Sequence, residues 1–234
     1  APLEYHASKL IEKFTGQHFD RQHLTLPAYR QIKEYLNTNF FFISPKEDYR
    51  LDTILEKARF LVRRRGIKCL VIDPYNRLED ESDGHNETKY ISKQLDRLTN
   101  FAQRNDVMVI LMAHPTKQSK NKDGVIEAPT LYDISGSAHF YNKTDFGIVV
   151  HRNRIDNTVE VHVQKVKFRH LGECGTALFK YNLNNGRYSP YTAGVEPVWD
   201  NSNHLQEEMN RRAKEAEEAA VFDFTAQPLD ECPF

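Results

Sequence analysis

Two short apolar runs constrain this chain more than any other feature: Cys69-Leu70-Val71-Ile72-Asp73 and Val107-Met108-Val109-Ile110-Leu111-Met112-Ala113-His114. Each ends on a side chain that carries chemistry, and a helical pattern lies between them. Apolar runs of this length, separated by a helix, read as buried parallel strands of a βαβ unit. Ligands bind outside the carboxyl ends of such strands, where Asp73 and His114 are expected to project side by side. A carboxylate there is placed to hold Mg2+ through water beside a nucleoside triphosphate. An imidazole beside it would report hydrolysis by gaining or losing one hydrogen bond to the terminal phosphate. Alone, each residue says less: many α/β strands end in Asp, and a histidine after a strand is often an ordinary loop residue.

The periodicity around these runs predicts helices over Leu3–Phe14, Pro27–Leu36, Leu51–Arg65 and Glu87–Arg104, with Gly16 and Gly66 closing the first and third. Phe40–Ser44 reads as a short buried strand, and Phe146–His151 as another after a short helix near Asp133–Lys143. Thr158–Arg169 and Thr176–Asn182 then alternate polar and apolar, the second running into an Asn184-Asn185-Gly186 turn. The expected fold class is therefore α/β: a mostly parallel sheet flanked by helices, with antiparallel strands at its C-terminal edge. No G-x-x-x-x-G-K-[ST] phosphate loop occurs in the sequence. The strand that would carry it is expected to be missing from this chain, leaving a hydrophobic gap in the sheet.

Composition excludes several classes. No apolar run approaches the roughly 18–20 residues of a membrane span, and the opening residues lack the charged-then-apolar pattern expected of a signal peptide. Three isolated cysteines (Cys69, Cys174, Cys232) form no C-x-x-C pair, which favours a reducing, cytosol-like setting over a disulfide framework or zinc finger. Leu205–Phe234 holds eight acidic and three basic residues, a balance of −5, so the net charge of −1 leaves +4 on the rest. That excess is too small to announce nucleic-acid binding, so local clusters must make the case. There is also no G-x-S-x-G elbow, H-E-x-x-H or EF-hand loop.

Two basic clusters stand out. Lys117, Lys120 and Lys122 lie in a loop directly after the His114 run, where they would be a solvated surface or a grip on a phosphate backbone. Lys165, Lys167 and Arg169 alternate along a predicted strand and would share one face. Such a row either guards a sheet edge or meets an anion. The transferring phosphoryl group of a neighbouring subunit is one candidate for that anion.

Four segments in order resemble the helicase half of phage and bacterial primase-helicases, grouped with Twinkle and DnaB-type replicative helicases. They are Val71–Glu79, Ile110–Lys117, Pro129–Ala138 and Val161–Phe168. The resemblance implies a RecA-like fold over about residues 1–190, a linker over 191–203, and a charged helix with an acidic tail over 204–234. It implies an ATP-dependent (or other NTP-dependent) DNA helicase acting with Mg2+ as a hexameric ring on single-stranded DNA. This chain, without a phosphate loop, is expected to be inactive alone. Asp73 takes the place of the metal-binding aspartate, Asn76 of the polar residue three positions on, and His114 of the phosphate sensor. Lys117–Ser137, including Ser135, Gly136 and Ser137, corresponds to the region facing DNA. Lys165-Val166-Lys167-Phe168 stands where the family carries Lys-x-Arg-Phe, so Lys167 or Arg169 would supply the finger cation. The alternative is a non-motor RecA-like DNA-binding or filament-forming protein. The implied setting is the cytoplasm of a bacterium or phage-infected cell, with no membrane partner. The acidic end, closing on Pro233-Phe234, would serve as a solvated tail or dock a primase domain or another replication protein.

Overall fold

Helical and extended segments alternate along the chain in the order α1 (Leu3–Thr15), α2 (Leu26–Asn39), α3 (Leu51–Arg65), β1 (Cys69–Ile72), α4 (Glu87–Asn105), β2 (Met108–Leu111), α5 (Ala138–Lys143), β3 (Phe146–Asn153), β4 (Thr158–Val166), β5 (Gly175–Tyr181), β6 (Tyr188–Pro190) and α6 (His204–Phe224). Short 3-10 turns fall at Tyr75–Arg77, Leu131–Asp133 and Arg169–Leu171. This computed structural model describes residues 3–20, 24–45, 48–78, 87–116, 126–134 and 138–224. The chain forms two units, one of Asn37–Lys180 with Pro190–Pro197, the other of Ala1–Leu36, Tyr181–Ser189 and Val198–Phe234.

In the larger unit, α3 follows from spacing. Leu51, Leu55 and Ala58 recur on one face and are buried, with Val62 a further turn along packing beside them. The helix stops at Gly66, whose φ of 66° lets its N–H return to the Val62 carbonyl at 2.9 Å. Ile91, Leu95, Leu98 and Phe101 of α4 bury a matching stripe, and both helices cover Leu70 and Ile72 of β1. β1 and β2 pair in parallel, Cys69 opposite Met108 through Ile72 opposite Leu111.

The other face of this pair stays uncovered among the described residues. Val71 (55 % exposed), Met108 (60 %), Ile110 (39 %) and Met112 (46 %) all lie on it. Phe146, Ile148 and Val150 of β3 are exposed in the same alternating way. β1 and β2 carry the apolar load of a sheet buried on both sides, yet among the described residues only one side has helices against it. β3 to β6 form a second sheet in sequence order, with β3–β4 and β4–β5 antiparallel.

Three expected elements differ. Phe40–Ser44 is irregular, with no strand pairing to it among the described residues. The helix expected over Asp133–Lys143 resolves into the Leu131–Asp133 turn and α5. β4 ends at Val166, because its partner β3 begins at Phe146 opposite it. Arg169 therefore sits in a 3-10 turn and not on the strand.

In the smaller unit, Ile11 of α1, Ile32 of α2 and Leu205 of α6 are buried together, with Phe14, Tyr35 and Met209 packed around them. Asn185, fully buried, ties the pieces: its Nδ2 donates to the carbonyls of Gly16 (3.1 Å) and Asp200 (3.2 Å) and to Asn201 Oδ1 (3.1 Å). The Arg187 guanidinium donates to the carbonyls of Lys13 (2.8 Å) and Ser202 (2.7 Å) as well. The segment read as a linker is thus pinned at residues 200–202, and the first turns of α6 are packed.

Candidate functional site

The parallel ladder runs past the strand ends and fixes the candidate site. Met112 N–H donates to the Ile72 carbonyl at 2.9 Å, and Tyr75 N–H to the Met112 carbonyl at 2.7 Å. Asp73 is held between these bonds, at the carboxyl end of β1. Asn76 Oδ1 then accepts from the backbone N–H of His114 at 3.0 Å, joining the two strand ends. Below them the Tyr75 ring meets Phe140 edge-on, 5.2 Å between centroids, fixing the turn on the core. Asp73, Asn76 and His114 are all exposed.

Among the described residues, the Asp73 carboxylate and the His114 imidazole make no hydrogen bond or ion pair, and both residues are exposed. Among the described residues no group of three His, Cys, Asp or Glu side chains could hold a metal ion. One free carboxylate does not suit zinc, which wants three or four protein ligands. It does suit Mg2+, which keeps several waters and takes its other ligands from phosphates.

The three cations expected in one row have three different surroundings. Lys165 Nζ donates to the carbonyls of Tyr141 and Asn142 in the last turn of α5, and lies 4.9 Å from the Tyr141 ring centroid. It satisfies carbonyls that the helix end leaves open. Lys167 pairs with Asp145 at 2.7 Å, both half-exposed, a contact of small energetic weight. Arg169 is exposed and its guanidinium has no partner among the described residues. A shared strand face is therefore not what groups them.

Lys117, Lys120, Lys122, Ser135, Gly136 and Ser137 lie outside the described residues. The described flanks of that region are firmly held. Thr116 donates from its N–H (2.7 Å) and its hydroxyl (2.8 Å) to the Asp133 carbonyl, and Pro115 bridges to Ile134. Gln164 of β4 clamps the same stretch twice, accepting from Leu131 N–H at 2.9 Å and donating to the Pro129 carbonyl at 2.8 Å. In the sequence the one signal for Gln164 is an uncharged amide where Glu160 and His162 alternate with Val159, Val161 and Val163.

With this geometry in place, the comparisons fit. The profile of the DnaB-like helicase C terminal domain matches residues 11–189, and the chain belongs to that family. A relative is the "Twinkle homolog protein, chloroplastic/mitochondrial" of Arabidopsis thaliana, 40 % identical over 207 residues, covering 81 % of this chain and 29 % of the relative. The "DNA helicase/primase" of Enterobacteria phage T3 is 27 % identical over 152 residues, 61 % of this chain and 26 % of that protein. This chain thus spans less than a third of either. Among solved structures, "The Structure Of A DnaB-Like Replicative Helicase And Its Interactions With Primase" superposes with a TM-score of 0.63 at 20 % identity, covering 80 % of this chain and 49 % of that one. The fold is the α/β architecture of that neighbour, its parallel and antiparallel sheets included. No described helix is long and apolar enough to cross a membrane.

Proposed function

We propose that this chain forms the nucleotide-responsive part of a replicative DNA helicase, a hexameric ring that uses NTP with Mg2+ to move on single-stranded DNA. The observation that carries the reading is the pair Asp73 and His114, at adjacent carboxyl ends of hydrogen-bonded parallel strands in a chain of the DnaB-like family. Asp73 holds Mg2+ through water, and His114 offers its ring to the terminal phosphate while Asn76 fixes its backbone. The metal neutralises phosphate charge when bound. The guanidinium of Arg169, without a partner among the described residues, is the cation best placed to reach a neighbouring copy, with Lys167 second. Lys165 is already engaged with α5. The region containing Lys117, Lys120, Lys122 and Ser135–Ser137 meets DNA. The face of β1 and β2 left uncovered among the described residues is where further helices would pack, and a phosphate-loop strand would pair at an edge of the sheet. A primase domain or other replication protein is the further partner. The bacterial or phage-infected cytoplasm is the proposed setting, with the organelles named for the plant relative as the other.

The test is made in the protein that carries this chain. Asp73→Asn is expected to lower DNA-stimulated NTP hydrolysis by roughly 100-fold or more and to stop duplex unwinding. His114→Ala is expected to keep nucleotide affinity while hydrolysis loses its response to DNA. Wild-type turnover in the Asp73 variant removes the metal assignment, and filament growth on DNA without strand separation removes the motor.

A further inference from the structure

Tyr132 is a large aromatic that this fold keeps outside. It is 54 % exposed, while its neighbour Leu131 is 7 % exposed and anchored in the core. Leu131 presses so closely on β3 that a Cβ at Gly147 would lie 2.1 Å from its Cδ1. Gln164 grips the backbone on one side of Tyr132 and the bonds from Thr116 grip it on the other. The ring thus projects from a turn already fixed by β2, β3 and β4, so little conformational freedom remains to be lost on binding.

The ring is also supported. Tyr132 stacks on Tyr141 with centroids 4.7 Å apart and planes 23° apart, and the Lys165 ammonium lies over the Tyr141 ring. The adjacent carboxylate, Asp133, is turned back on the turn, accepting from Thr130 N–H at 2.6 Å and from its hydroxyl at 2.9 Å. Its charge is used there and not presented beside the ring.

A rigid, half-exposed aromatic with a stacked partner and a nearby cation has the properties of a base-stacking surface, since every nucleobase offers a π-face. We propose that Tyr132, backed by Tyr141 and Lys165, is a stacking platform for one nucleobase of a single strand. The proposal rests on the single-stranded-DNA reading above and adds the residue that touches a base and not a phosphate. Thr116 is two residues beyond His114 and bonded to Asp133, so the platform is joined to the phosphate-sensing strand.

Fluorescence anisotropy with labelled oligo(dT), and with an abasic oligonucleotide of equal length, separates the two ideas. Tyr132→Ala is expected to weaken oligo(dT) binding roughly 5- to 100-fold while abasic binding changes less than about twofold. Tyr132→Phe, which keeps the π-face, is expected to bind oligo(dT) like the wild type. If Tyr132→Ala weakens both oligonucleotides alike, or leaves oligo(dT) binding unchanged, the platform is overturned and the DNA reading survives. If the wild type binds neither oligonucleotide, the DNA reading itself falls and the platform with it.

Discussion

Replacing Gln164 with leucine removes an amide of similar volume and opens the clamp on residues 129–131. The Leu131 N–H and the Pro129 carbonyl then lose partners at 2.9 and 2.8 Å in a partly buried place. A typical hydrogen bond contributes about 1 kcal/mol net, and leaving a buried group unpaired costs about 1–3 kcal/mol. Two such bonds, neither in full desolvation, make the expected loss about 2 kcal/mol. That corresponds to about a 30-fold rise in the opening equilibrium of the turn. It also lowers the melting temperature by roughly 4–8 °C for a chain of this size. Hydrogen exchange at the Leu131 amide reads the local effect directly, because that N–H is bonded only while the clamp is closed. Exchange within about twofold of the wild type would refute the reasoning, showing that the core contact of Leu131 alone holds the turn.

In the smaller unit, Asn185→Ala strips three acceptors of their buried donor and is expected to cost about 2–4 kcal/mol in urea unfolding. Gly16→Ala is expected to be comparably damaging, since φ is +73° and the added Cβ would sit 2.5 Å from the Asn201 carbonyl oxygen. Hydrogen bonds from Ser202 hold the Asp200 carboxyl down to about 2 from an ordinary 3.8. A depressed carboxylate stabilises the fold above its unfolded value, so stability is expected to fall as pH drops from about 4 to about 2, and Asp200→Asn to flatten that slope in acid melts. If the proposed ring is right, Arg169→Ala in every copy of the protein that carries this chain is expected to abolish hydrolysis. Mixing it with Asp73→Asn copies is expected to recover part of the activity, and failure of every mixture to recover any removes the trans role.

The sequence by itself determined the elements whose periods are strong and whose ends are marked. α3 runs from Leu51 to Arg65 as its leucine spacing and Gly66 require, and β1 and β2 lie where the apolar runs place them. Asp73 directly follows β1 as its run predicts, whereas β2 stops at Leu111, three residues short of His114, whose backbone is carried to the strand ends by the Asn76 hydrogen bond. Tertiary structure alone decided whether neighbours in sequence remain neighbours in role. Alternation put Lys165, Lys167 and Arg169 on one face, but pairing with β3 stops at Phe146, and each cation then found its own partner or none. Phe40–Ser44 has strand composition but pairs with no strand among the described residues, and a strand is made by its pairing as much as by its residues. Gln164 and Asn185 were illegible for the same reason. An amide's task depends on which backbone groups another segment brings to it, and the groups that Gln164 holds lie more than thirty residues away. Local pattern reports burial and period, whereas hydrogen-bond partners across such distances exist only once the chain has closed on itself.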